Sequence, residues 1–380
     1  MNIMLVPSSF PTSREPKRTT YIRDYACSLG IDHQVTVVYP QQVGTPEVGD
    51  NNFFVEDYVA PNVKLVNYTY QHIPKTWMMS YLAAFRRVFN RIRKIDVIFA
   101  HIALPAGPAA LLLGRLFGLP VILIEHTGPV RDWLDWTPHP RRVQYKTLTF
   151  TYSGVDYLGA VSGSLAREIN EVFGATVHGK LYNPVDCDLF RPNGNRAGGA
   201  HPRVLCVTRG HPQDWRKGVP NLLTAWEIVR TRSSRPVKLD LVGEMVELLA
   251  PDIEARGLKD SCGFHSWVPA PLLAQMIRES SLVVIPSSYE TFGRSGVEAL
   301  ACGIPVVATR CGGPEEYVED GMGILVPTEN PDKLAEGILI GLERRNFESP
   351  EVMARHVSER FSYRAVCQRF TDVATGLIRG

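Results

Sequence analysis

The sequence predicts an α/β chain made of two doubly wound, parallel-sheet domains. Three observations carry that prediction. Short apolar runs rich in β-branched residues alternate with helical stretches, the pattern of parallel strands covered on both faces. The alternation breaks off once, in a Gly-, Pro- and Asn-rich stretch at Arg191–Pro202, and then restarts. The length, 380 residues with 44% hydrophobic and 21% charged side chains, suits two globular domains and excludes a disordered or fibrous chain.

Asn2–Val6 reads as the first strand because it is an unbroken apolar run that ends at Pro7. A helix follows over Thr20–Leu29, with Gly30 as its stop signal. Gln34–Tyr39, Asp96–Ala100, Pro120–Glu125 and Tyr157–Val161 read as further short buried strands, and Gly107–Phe117 as a helix between two of them. Beyond the linker the predicted strands are Val204–Thr208, Val237–Val242, Leu282–Pro286 and Pro305–Thr309. The helices there are Pro220–Arg230, Pro271–Glu279 and Ser295–Ala301. The resulting domains are 1–190 and 199–361, joined by a linker at about 191–198. Ligands of open parallel sheets bind at the carboxyl ends of the strands, so candidate residues are sought there.

Composition removes several classes of function. Forty-one Lys and Arg against 39 Asp and Glu give a net charge of +2, not the footprint of a dedicated nucleic-acid binder. No apolar run approaches the roughly 18 residues of a membrane-spanning helix. The opening MNIMLVPSSF lacks the pattern of a secretion signal. Seven widely spaced cysteines with no CxxC argue against a disulfide framework or structural zinc and fit reduced thiols in a cytoplasmic protein.

The richest segment is Ser287–Gly313, SSYETFGRSGVEALACGIPVVATRCGG. A buried strand ends at Pro286, a turn contains Gly293, and a helix opens near Ser295. Strand, loop and helix in that order aim free N–H groups and the positive helix end at an anion, with phosphate the natural guest. Two carboxylates, Glu290 and Glu298, flank the turn. By local rules Glu298 completes a capping box with Ser295, and Glu290 is a solvated loop acid. The whole pattern favours a site.

The segment resembles the E-x7-E signature of the retaining family 4 (group 1) glycosyltransferases, with FG between the acids and EALACGIPVVAT after them. The likeness extends to Gly312-Gly313-Pro314-Glu315-Glu316, to Asn183-Pro-Val-Asp186, to Phe361-Ser-Tyr363 and to Glu125-His126-Thr127-Gly128. It implies the GT-B fold, two Rossmann-like domains facing across a cleft, with a C-terminal helix at about 362–380 packing back on the first domain. The first domain would bind the acceptor and the second a nucleotide-diphospho-sugar donor.

The resemblance also implies roles. Glu290 would lie by the donor sugar's hydroxyls and Glu298 would bind the ribose hydroxyls. Thr291, Phe292, Gly293, Arg294 and Ser295 would meet the donor, with backbone amides around Phe292, Gly293 and Arg294 facing sugar and diphosphate. Arg209 and Lys217 would neutralise the diphosphate, and His126, at a strand's carboxyl end, would touch the donor sugar or the acceptor. His101 ranks below His126, as a shaper of its loop. Two cations and a helix start can stabilise the leaving diphosphate, so neither a metal nor another cofactor is expected. A UDP-sugar is favoured as donor and a GDP-sugar second; the partner is an acceptor hydroxyl of a polysaccharide, a glycolipid or a natural product.

Some features depart from the family. Lys17-Arg18-Thr19-Thr20-Tyr21 stands where a glycine is usual, the interval from Arg209 to Lys217 is longer than usual, and Gly243-Glu244-Met245 replaces a G-x-G. Asp186-Cys187-Asp188 is a DxD, a metal motif of a different transferase fold, and reads as structural here. In Trp77–Lys94, Met78, Leu82, Phe85, Phe89 and Ile92 share a helical face, with Arg86, Arg87, Arg91, Arg93 and Lys94 largely elsewhere. A core-packed helix with a solvated basic face is favoured. The alternatives are peripheral contact with the inner membrane face and a site for a phosphorylated acceptor. Two rival functions stand beside transfer: a non-catalytic sugar-nucleotide binder, against which intact Glu290, Glu298, Arg209 and Lys217 argue, and a dinucleotide oxidoreductase, which lacks G-x-G-x-x-G after the first strand.

Overall fold

The computed structural model describes residues 1–11, 19–43, 54–71, 86, 89, 94–130, 141–194, 201–211, 214–343 and 347–380. The chain divides into two compact units, 1–184 with 363–380, and 185–362. The first contains β1 (Asn2–Pro7), α1 (Thr20–Leu29), β2 (Gln34–Val43), β3 (Phe54–Ala60), β4 (Val63–Gln71), β5 (Val97–His101), α2 (Ala106–Phe117), β6 (Val121–Glu125), α3 (Arg141–Gly154), β7 (Tyr157–Ala160), α4 (Gly163–Phe173) and β8 (Gly179–Lys180). Their sheet has the order β3-β4-β2-β1-β5-β6-β7-β8. All pairings are parallel except that of β3 with β4. The expected parallel sheet is present, with an antiparallel edge strand, β3, that the sequence reading did not name. Only two residues, Pro61 and Asn62, join β3 to β4, too few for the crossover a parallel pair needs.

The second unit contains β9 (Arg203–Val207), α5 (Val219–Arg232), β10 (Lys238–Val242), α6 (Ala250–Ala255), β11 (Cys262–His265), α7 (Ala270–Arg278), β12 (Leu282–Ile285), α8 (Arg294–Ala301), β13 (Val306–Thr309), β14 (Gly323–Val326), α9 (Pro331–Glu343) and α10 (Pro350–Phe361). Its sheet has the order β11-β10-β9-β12-β13-β14 and is parallel throughout. Val204, Cys206, Leu239, Leu241, Leu282 and Val284 form one core with Trp226 of α5 and Ile338 of α9. Their alternate neighbours Leu205, Val283 and Ile285 are buried as well, so the sheet is covered on both faces, as its continuous apolar strands require.

The last helix, α11 (Tyr363–Arg379), belongs to the first unit. Ser28 Oγ donates to Tyr363 O at 2.6 Å, Tyr363 Oη donates to Asp24 at 2.9 Å, and Phe370 packs on Phe99 with ring centroids 4.6 Å apart. Residues 185–190, expected in the first domain, belong to the second. Val185 N donates to Phe361 O at 2.8 Å, and Leu189 O accepts from Arg278 at 3.2 Å. Asp186 of the DxD spends its carboxylate on the backbone N–H groups of Asp188 and Leu189, both at 3.1 Å, in a local turn. Of the basic segment 77–94, Arg86, Phe89 and Lys94 are described and the rest lies outside the described residues; Arg86 is exposed and Phe89 stacks on Phe117. Among the described residues no helix is long and apolar enough to cross a membrane.

Candidate active site

In the second unit β9 and β12 are neighbours in the sheet but not in the chain. The connections leaving them run to opposite sides, which opens a crevice at their carboxyl ends. After β9 the chain passes Arg209 and makes a 3₁₀ turn, Trp215–Lys217, closed by Gly218. Gly218 has φ 61°, and a Cβ there would lie 1.9 Å from Pro286 O, so only glycine lets this turn press on the end of β12. Arg216 O accepts from Ser288 N at 2.8 Å and ties the two loops together. Lys217 Nζ thereby reaches Glu290 Oε1 at 2.7 Å, with side-chain exposures of 31% and 15%. The Glu290 carboxylate raises the Lys217 pKa above its ordinary value, more than burial lowers it. The same Oε1 accepts from Ser287 Oγ at 2.9 Å, and Ser287 O accepts from Thr309 Oγ1. Glu290 N donates to Cys311 O at 2.9 Å, which sets the acid against the loop leaving β13.

The helix α8 begins at Arg294, with Gly293 as its N-cap at φ 75° and no side chain capping it. Tyr317 Oη donates to Gly293 O at 2.7 Å and fixes this turn. Ser295 therefore lies inside the helix, and the Ser295–Glu298 capping box does not form; the left-handed glycine starts the helix two residues earlier than a serine cap would. Glu298 is 6% exposed and accepts from Arg294 Nη2 at 3.0 Å. The Phe292 ring is buried against Tyr317 and Phe361, which leaves only its backbone for a ligand. Thr291 and Ser295 are half-buried. Arg209 is exposed, and among the described residues it forms an ion pair with neither glutamate. The first N–H groups of α8 and the Lys217 ammonium thus provide positive potential at one strand-end crevice, with two carboxylates that can accept from hydroxyls.

The first unit has the same discontinuity between β1 and β5. Ser8 N donates to His101 O at 3.0 Å, and Ser8 Oγ donates to Ile102 O at 2.9 Å. His101 Nδ1 and His126 Nε2 are 3.0 Å apart, and both rings are buried beside Tyr25. Burial, and next the neighbouring His126, hold His101 well below the usual imidazole range. Sequence reasoning gave Glu125 no role, yet it organises this end of the sheet. Its carboxylate is 1% exposed and accepts from the backbone of Ala103, His126 and Thr127 and from Tyr152 Oη, at 2.9–3.0 Å. Burial raises its pKa more than those donors lower it. A signal was present: an acid at the end of the apolar run VILIE must be paired if it is buried.

Comparison with known proteins gives two family matches: "Glycosyl transferases group 1" over residues 197–359 and "Glycosyltransferase Family 4" over residues 19–189. The D-inositol 3-phosphate glycosyltransferase of Paenarthrobacter aurescens is 30% identical over 290 residues, 70% of each chain. The protein of that name from Thermomonospora curvata is 28% identical over 353 residues, 82% of this chain and 80% of the relative. Among solved structures, sucrose-phosphate synthase of Thermosynechococcus elongatus superposes with a TM-score of 0.75 at 18% identity, covering 100% of this chain and 99% of that one. Anabaena HepE, solved in complex with UDP, gives 0.74 at 19%, covering 99% and 100%.

Proposed function

Because the chain belongs to the group 1, family 4 glycosyltransferases and has their GT-B fold, we propose that it moves a hexosyl group from a nucleotide-diphospho-sugar to an acceptor hydroxyl with retention and without a metal. The observation that carries this reading is the Lys217–Glu290 ion pair at the β9–β12 strand ends, next to the start of α8, which no side chain caps. Lys217 and the α8 amides receive the diphosphate, with Arg209 as a second cation. Glu298 takes the ribose hydroxyls and Glu290 the sugar hydroxyls. The bond between the anomeric carbon and the phosphate oxygen breaks, its electron pair leaving with the nucleoside diphosphate. The acceptor oxygen attacks from the same face and gives its proton to the departing phosphate oxygen. His126 orients the sugar or the acceptor and forms no covalent bond.

UDP is the favoured nucleotide and GDP the second, and HepE, of the same fold, was solved with UDP. D-inositol 3-phosphate, the compound in the relatives' names, is the first acceptor to try. Thermal stabilisation by a panel of UDP- and GDP-sugars tests the donor: a ligand at 100 times its Kd adds about 2.7 kcal/mol. NMR of the new linkage, with and without EDTA, tests the chemistry. An inverted anomer, or activity lost to EDTA and restored by Mg²⁺, would overturn it.

A further inference from the structure

Glu290 is held unevenly. Its Oε1 accepts both from Lys217 Nζ at 2.7 Å and from Ser287 Oγ at 2.9 Å, whereas Oε2 has no hydrogen-bond partner among the described residues. A lysine alone would not enforce that asymmetry. The terminal torsion of a glutamate is broad, so with the lysine alone the carboxylate plane can swing until both oxygens share the ammonium. A second donor on the same oxygen fixes the plane and turns the other oxygen away. Ser287 is suited to supply it: its hydroxyl has a single proton to give, and at 2% exposure no bulk water can take its place. Its own position is fixed from β13, since Thr309 Oγ1 donates to Ser287 O and, at 3.3 Å, to Ile285 O.

We propose that Ser287, anchored by Thr309, is a positioning residue of the transfer: it keeps Oε1 of Glu290 on Lys217 and leaves Oε2 for a hydroxyl of the donor sugar. This rests on the nucleotide-sugar reading above. It separates two things that a structural serine would not separate. The nucleoside diphosphate carries no sugar and gains nothing from Oε2, whereas reaction of the sugar does.

The test is Ser287→Ala, with two readouts: binding of UDP or GDP, whichever the wild type binds, by calorimetry, and nucleotide release from UDP- and GDP-linked glucose, galactose, N-acetylglucosamine and mannose. The expected result is a kcat lowered on the order of 10- to 100-fold, the scale of a lost hydrogen bond to a charged group, with the nucleotide Kd within two-fold of wild type. Thr309→Val, which keeps the volume and removes the anchor, should lower kcat less and again spare the Kd. A Ser287→Ala kcat within three-fold of wild type, or a nucleotide affinity that falls in step with kcat, overturns the proposal. A wild type that binds neither nucleotide or turns over no donor overturns the nucleotide-sugar reading, and this proposal with it.

Discussion

Lys217 and Glu290 lie 73 positions apart in sequence and meet at 2.7 Å, so neither charge can be interpreted alone. With no donor bound, the acid neutralises the lysine, and an ammonium with three protons can hold the acid and still receive a phosphate oxygen. Lys217→Ala should cut turnover on the order of 10²–10³-fold, as loss of one contact to the developing charge does. A rate within a few-fold of wild type in a folded variant would remove Lys217 from the chemistry. Glu298 has lost its bland explanation: Gly293 caps α8, so the acid closes no capping box. Glu298→Gln should weaken nucleotide binding by about ten-fold or more, since hydrogen bonds to a charged group are the strong ones. Unchanged affinity by calorimetry would leave Glu298 only the task of holding Arg294.

At the level of elements, the site is made by loops resting on one another's backbones. The Trp215–Lys217 turn contacts the end of β12 at Gly218, where there is no room for a side chain. Gly218→Ala adds a left-handed strain and a collision with Pro286 O. It should cost about 1–3 kcal/mol of stability and carry Lys217 away from Glu290. Chemical denaturation measures the first effect and turnover the second. A variant as stable and as active as wild type would show that the turn does not set the site. The alternative start of α8 has the same origin. Tyr317, from the loop before β14, fixes Gly293 O, and the helix begins where that contact allows.

At the level of the whole molecule, each unit has its own discontinuity in strand order, one lined by histidines and the other by the ion pair. The histidines make stability depend on pH. His101 titrates below its unfolded value, so the unfolded chain binds more protons; its contribution is complete above about pH 6.5 and is lost as pH falls below that. His33 and His356 act in the same sense through burial, whereas Glu125, raised by burial, acts in the opposite sense. The His101 part is therefore read as a difference. Urea unfolding between pH 7.5 and 5 should show a steeper loss for wild type than for His101→Gln, by at most about 1.4 kcal/mol per pH unit for one proton. Equal slopes would remove His101 from the pH dependence.

The sequence by itself determined the two-domain α/β class, every buried strand it named, and the segment holding Glu290 and Glu298. These follow from local patterns, since a continuous apolar run must be buried whatever surrounds it and a strand–loop–helix with glycine at the turn is encoded within some 25 neighbouring residues. The tertiary structure alone decided the rest. Which cation Glu290 meets depends on β9 and β12 becoming neighbours, and strand order is not written in any one strand. The role of Glu125 depends on Tyr152 and Ala103 converging from other elements. Local rules offer Ser295 as a cap, while a left-handed Gly293, fixed by Tyr317 from beyond β13, starts the helix first. The antiparallel β3 and the transfer of residues 185–190 to the second unit have the same cause: long-range hydrogen bonds choose among conformations that the local sequence leaves open.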